Sequence, residues 1–161
     1  MEATKFNKVF KLIVSIAIPL VAGGLSGFLT AHAIEGWYTT LNKPSFNPPN
    51  WIFGPVWTTL YILMGVSFYM IWTAPQEKYK RRAMQVYGLQ LFLNFSWSLI
   101  FFAFEKPDLA LVEIVTLWIA ILWMISLFRK IKPIAGYLQI PYLLWVSFAS
   151  VLNVAIWWLN V

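Results

Sequence analysis

The chain has 161 residues, 60% of them hydrophobic and 11% charged, with a net charge of +6. Soluble domains carry roughly 45–50% apolar and 25% charged residues, so this balance excludes a water-soluble globule and indicates an integral membrane protein. The lack of cysteine removes disulfides, thiolate metal sites and cysteine nucleophiles, and the cations lie between apolar runs without interleaved base-stacking aromatics, so nucleic acid is not an expected partner.

Leu12 to Ala33 is free of charge and long enough to cross a hydrocarbon core that needs about 20 residues. Lys5, Lys8 and Lys11 before it and Ala31-His32-Ala33 near its end resemble parts of a signal peptide. The apolar run, however, exceeds the 7–15 residues of such a segment, and a retained helix is expected. Gly23 and Gly27 supply the GxxxG spacing that lets a second helix approach closely, either within the bundle or in a homodimer.

The next stretch, Trp37 to Gly65, interrupts the apolar pattern with Pro44, Pro48, Pro49 and Pro55 and many aromatics. Proline fixes φ and removes a donor, so Lys43 to Pro49 should form a rigid, mostly extended turn. Pro55 is expected in the first turn of the following helix, where its missing N–H costs nothing. Charge-free or nearly charge-free runs then cover 51–74, 83–104, 109–128 and 133–159, separated by QEKYKRR (76–82), EKPD (105–108) and RKIK (129–132).

The expected fold is therefore all-α: one domain over 1–161 with five transmembrane helices, and a Pro/Trp-rich loop between the first two capping a pocket. Ten cations (Lys5, Lys8, Lys11, Lys78, Lys80, Arg81, Arg82, Arg129, Lys130, Lys132) fall on one side in this topology, and only Lys43 and Lys106 on the other. The positive-inside rule makes the N-terminus cytoplasmic in a bacterial membrane, which is preferred over a mitochondrial outer membrane. No internal repeat is visible, and an odd number of spans argues against the duplicated halves of many secondary transporters.

The catalytic inventory is small. His32 is a lone histidine read as interfacial, and no Gly-rich phosphate loop, paired intramembrane carboxylates or metal-ligand spacing is present, so neither metal nor resident cofactor is expected. Glu113 is the one ionisable residue inside a span, which makes it a functional candidate, although it lies only about 7 Å of helix past Asp108. Gln90, Asn94, Trp97 and Phe101 share one helical face. So do Trp145, Ala149, Leu152 and Ile156, with Tyr142 and Asn153 beside them, and Trp57, Tyr61, Phe68 and Trp72 form a third stripe. Together these faces predict an apolar, aromatic, sparsely polar pocket, suited to a large flat amphipathic molecule rather than an ion or sugar.

Three runs, WYTTLNKPSFNPPNWIFGPVWTTLYILMG (37–65), LQLFLNFSWSLIFF (89–102) and PYLLWVSFASVLN (141–153), resemble the TspO/MBR family over essentially the whole chain. The resemblance implies a five-helix membrane fold and binding of porphyrins, above all protoporphyrin IX, in a sensor, regulator or transporter of porphyrin and stress metabolism. It further implies that Trp51 and Trp145 match tryptophans linked to porphyrin binding and to light-dependent porphyrin breakdown, which makes a porphyrin-degrading enzyme the alternative reading. Tyr61, Asn94, Trp97 and Ala149 match pocket-lining positions, and Glu113 matches an acidic position early in the fourth helix. A lipid- or sterol-binding or helix-packing partner is a third reading. Sterol transport is disfavoured, because the family's cholesterol pattern needs a basic residue after Tyr142 and none follows.

Overall fold

The computed structural model describes residues 2–75 and 78–161, with side chains from residue 7 onward. The side chain of Lys5 and residues 76 and 77 of the polar loop, which entered the sequence reading, lie outside the described residues. The chain folds as α1 (Glu2–Glu35), α2 (Trp37–Thr40), α3 (Asn50–Trp72), α4 (Lys80–Ser98), a π-helical turn (Leu99–Ala103), α5 (Pro107–Ile131), α6 (Pro133–Tyr137) and α7 (Ile140–Leu159). Five helical segments among the described residues are long and apolar enough to cross a membrane, with α6 and α7 together forming the fifth.

The buried residues of α5 show why the segments assemble. Ala110, Ile114, Leu117, Ile121, Met124 and Phe128 recur at alternating steps of three and four and are all buried, which is the seam of a left-handed helix pair. The opposite face of the same helix exposes Leu109, Val112, Val115 and Ile119. An apolar core inside an equally apolar exterior is the pattern of a helix solvated by lipid. Around this seam α5 packs on α4 and α7, α1 packs along α3 and touches α4, and α3 reaches the fifth span through α6.

Close approach of α1 and α3 depends on Gly65. A β-carbon there would lie 2.5 Å from the Ile16 Cα and 2.7 Å from the Ser15 carbonyl oxygen, both backbone atoms that cannot move aside. Gly23 also serves packing within the chain, since the Tyr61 ring occupies the place of its missing side chain. Gly27, expected to share that role, faces open space and packs against nothing.

Three local expectations are corrected. The fifth span is not a single helix over 133–159. Pro141 has no N–H for the Tyr137 carbonyl, and the chain turns at Leu138 and Gln139, where Gln139 N–H donates to the Gly136 carbonyl at 3.1 Å. Pro55 is not in the first turn of α3, because the helix begins at Asn50, after Pro49, and Pro55 lies a full turn inside it. The third span ends in a π-helical turn rather than plain α-helix, with Phe104 N–H reaching the Leu99 carbonyl five residues back at 2.8 Å.

The proline-rich loop is extended at its two ends, Leu41 (ψ 144°) and Pro49 (ψ 141°), with a turn at 45–46 between them. Tyr38 hydroxyl donates to Asn47 Oδ1 at 3.0 Å, and the Lys43 ammonium stands 4.6 Å from the Tyr38 ring centroid. The loop is tied to the end of α7 by a reciprocal pair, Asn42 N–H to Asn160 Oδ1 and Asn160 Nδ2 to the Asn42 carbonyl, both 2.9 Å.

Candidate functional site

Beneath that loop, α1, α3, the π turn and α7 enclose a cavity of about 430 Å³. Its size falls within the usual 300–1,000 Å³ of small-molecule sites, and its walls are mainly aromatic. Phe53, Trp57 and Tyr61 follow one another at four-residue steps on α3 and point into it together. Trp97 and Phe101 come from α4 and the π turn, and Trp145 from α7. The α1 wall is small: Gly23, Gly24, Ser26, Gly27 and Thr30 keep its backbone close to the enclosed space.

The rings brace one another. Trp57 stacks on Tyr61 with centroids 5.5 Å apart, Trp97 stacks on Phe101 at 5.3 Å, and Phe53 meets Trp145 edge-on at 5.8 Å. Edge and offset contacts of this kind hold flat side chains in fixed orientations and leave planar surfaces facing inward. On its outer side Trp145 also borders an apolar groove between α3 and α7, lined by Pro55, Leu60, Leu144 and Phe148 among others. Trp145 thus borders both the cavity and this outer groove.

Polar groups are few and fixed. Tyr61 hydroxyl donates to Asn94 Oδ1 at 2.8 Å, and Asn94 Nδ2 donates to the Tyr142 hydroxyl at 3.1 Å, which joins α3, α4 and α7 through one buried amide. Trp97 Nε1 donates to Asn153 Oδ1 at 3.1 Å, and Asn153 Nδ2 donates to the Pro107 carbonyl at 2.9 Å. Thr30 on α1 spends its hydroxyl on the Ser26 carbonyl. Trp145 Nε1 is different, being buried with no acceptor among the described residues. It is sealed within the wall, with no surface open to the cavity. Tyr38 adds a phenol from α2, and burial holds its pKa above the usual 10.0 against the opposing hydrogen bond to Asn47. It therefore stays neutral at ordinary pH.

Of the residues singled out from sequence, Tyr61, Trp97, Trp145 and Ala149 line the cavity, as do Gly23 and Gly27. Asn94 sits behind the wall and acts through Tyr61. Trp51 stands apart: it is 74% exposed at the start of α3 and does not line the cavity. Glu113 is also off the cavity, where its carboxylate accepts a hydrogen bond from the Ser96 hydroxyl and so clamps α5 to α4. His32 is exposed near the end of α1, and no group of three or more metal-ligating side chains occurs among the described residues. Phe53 and Tyr38 were not singled out as site residues. Phe53 could have been found by extending the Trp57–Tyr61 stripe one turn back, whereas Tyr38 depends on how the loop folds.

The TspO/MBR family model matches residues 15–159. A tryptophan-rich protein TspO of Archaeoglobus fulgidus is 42% identical over 153 residues, covering 94% of this chain and 98% of the relative. The human translocator protein is 35% identical over 144 residues, covering 85% of each chain. A tryptophan-rich sensory protein of Cereibacter sphaeroides is 34% identical over 119 residues, covering 74% of this chain and 73% of the relative. With a five-span helical bundle, an aromatic cavity beneath the first loop, and this similarity over nearly its full length, the chain is a multi-pass membrane protein that belongs to the TspO/MBR family.

Proposed function

We propose that this protein binds a flat, largely apolar tetrapyrrole of the protoporphyrin IX type in the cavity under the loop and serves as a membrane sensor or regulator of such compounds. The observation that carries this reading is the set of braced rings, Phe53, Trp57, Tyr61, Trp97, Phe101 and Trp145, lining one cavity with few polar groups. A planar ligand gains ring-on-ring contact with Trp57, Trp97 and Phe101. The names of two relatives, a tryptophan-rich sensory protein and a translocator protein, support a role in sensing or moving a small molecule across or within the membrane. The N-terminus and the cation-rich ends of the spans would then face the cytoplasm and the loop the opposite side.

The test is a titration of the full chain in lipid nanodiscs with protoporphyrin IX, following tryptophan emission. Saturable quenching is expected, and Trp145→Ala, which removes a ring from the wall, should weaken binding by about tenfold, or about 1.4 kcal/mol. Non-saturable quenching, or equal affinity in Trp145→Ala and wild type, would sink the assignment. Trp51→Phe belongs in the same series, since its exposed position predicts no change.

A further inference from the structure

The contact between α1 and α3 changes character along its length. Toward the end away from the loop, Gly65 of α3 meets the backbone of Ser15 and Ile16 on α1, and nearer the loop the Tyr61 ring fills the place of a Gly23 side chain. These two contacts fix an antiparallel register. The seam they define continues toward the loop at steps of three and four residues, through Thr58 and Gly54 on α3 and through Gly27 on α1. A regular helix pair buries such positions along its whole length. Here Gly27, Gly54 and Thr58 are exposed instead.

The same three residues line the cavity. A β-carbon at Gly27 or Gly54 would meet no atom within 4 Å, and neither would one at Gly24, which is also exposed and also lines the cavity. The wall between α1 and α3 is therefore missing at this level, and small residues on both helices frame the slot. Around it α1 presents Val21, Leu25, Phe28 and Leu29 to the exterior, the surface that lipid covers on a membrane-spanning helix. The hydroxyls at this level are already engaged: Thr58 donates to the Gly54 carbonyl and Thr30 to the Ser26 carbonyl, both at 2.9 Å. The loop end contrasts with this side, because there the Asn42–Asn160 pair ties the chain across to α7 and Tyr38 is held to Asn47.

We propose that this slot is a lateral door, through which a lipid-dissolved ligand passes between the bilayer and the cavity without crossing the loop. A flat apolar molecule concentrates in the hydrocarbon phase, so a side entrance meets it where it is most abundant and leaves the tied loop closed. The slot rests on the helix packing alone, and passage of a tetrapyrrole through it rests on the function proposed above.

The experiment uses the full chain in lipid nanodiscs and the variant Thr58→Phe, whose ring is placed to fill the slot. Stopped-flow quenching with protoporphyrin IX should show an association rate constant reduced about tenfold or more, while Asn160→Ala, which unties the loop, leaves it unchanged. An association rate unaltered in Thr58→Phe, or raised in Asn160→Ala, means entry past the loop and overturns the proposal. Weaker binding through faster dissociation alone marks Thr58 as a wall residue and overturns it too. An apolar aryl diazirine dissolved in the bilayer gives a readout that needs no porphyrin. On illumination it should label cavity-lining Trp97 in wild type and not in Thr58→Phe, and equal labelling overturns the proposal. Should protoporphyrin IX fail to bind, the function proposed above fails, while the diazirine result still decides the door. If Thr58→Phe does not fold, Gly54→Leu fills the same slot from the next turn of α3, where its side chain meets open space.

Discussion

The two ends of this bundle are made of the same kinds of residue but are packed in opposite ways. At the end away from the loop, Phe68, Tyr87 and Phe128 stack in series, with centroids 4.3 and 6.3 Å apart, and Met64, Ile71, Ile121 and Met124 are completely buried among them. At the loop end, Trp57, Trp97, Phe101 and Trp145 are braced by stacked and edge-on ring contacts around an open space. In the closed half aromatic rings fill volume; in the open half they frame it. The difference arises on α1. Glycine at 24 and 27 supplies no side chains to fill the space that the rings of α3 and α4 leave, whereas at Gly65 the missing side chain lets two backbones meet.

This contrast predicts that the closed half carries stability and the open half carries binding. Phe128→Ala should have the largest effect, a loss of about 3–5 kcal/mol seen as a large fall in Tm, since it empties a fully buried ring site. Ligand affinity of the protein that still folds should be unchanged. Gly65→Ala comes next, at about 1–3 kcal/mol, because the new methyl collides with the α1 backbone. Thermal unfolding in nanodiscs checks both, and a neutral Gly65→Ala would mean that α1 is free to move off α3. Gly27→Leu reverses the pattern. With open space at that position, stability should hold or rise, while porphyrin affinity falls at least tenfold, or about 1.4 kcal/mol, as the side chain enters the cavity. Asn94→Leu should cost about 1 kcal/mol, because it leaves the Tyr61 and Tyr142 hydroxyls without their shared amide. Smallest is Asn160→Ala, which frees the loop from the end of α7 at an exposed site and should shift Tm by less than about 0.5 kcal/mol equivalent while speeding loop proteolysis.

The helices were legible because crossing a membrane demands long uncharged runs, and the cation-rich loops mark their ends. The three aromatic stripes were legible for the same reason, since side chains at i, i+4 and i+7 must share a face. What the sequence could not convey is how the helices are turned about their axes. Trp51 and Trp57 are both tryptophans of α3 six residues apart, and that spacing sends one out to 74% exposure and the other into the cavity. Glu113 was legible as unusual, but its partner Ser96 belongs to another helix, and only packing brings the two together. Pro141 marked a break that the uninterrupted apolar run around it concealed. Gly65 carried no motif at all, because the backbone that excludes a side chain there comes from fifty residues earlier.

The π turn at Leu99–Ala103 has a consequence for insertions and deletions. A π turn is an α-helix holding one residue to spare, and here the spare residue lets Phe101 and Phe102, neighbours in sequence, both border the cavity. Removing a single residue between 99 and 103 would return the segment to regular α-helix without breaking the span. The helix on either side would keep its facing, while one of the two rings would be carried out of the wall. The shape of the cavity is thus written partly in the number of residues in this segment, and a change of length there would reshape the site while leaving every other contact residue in the protein unaltered.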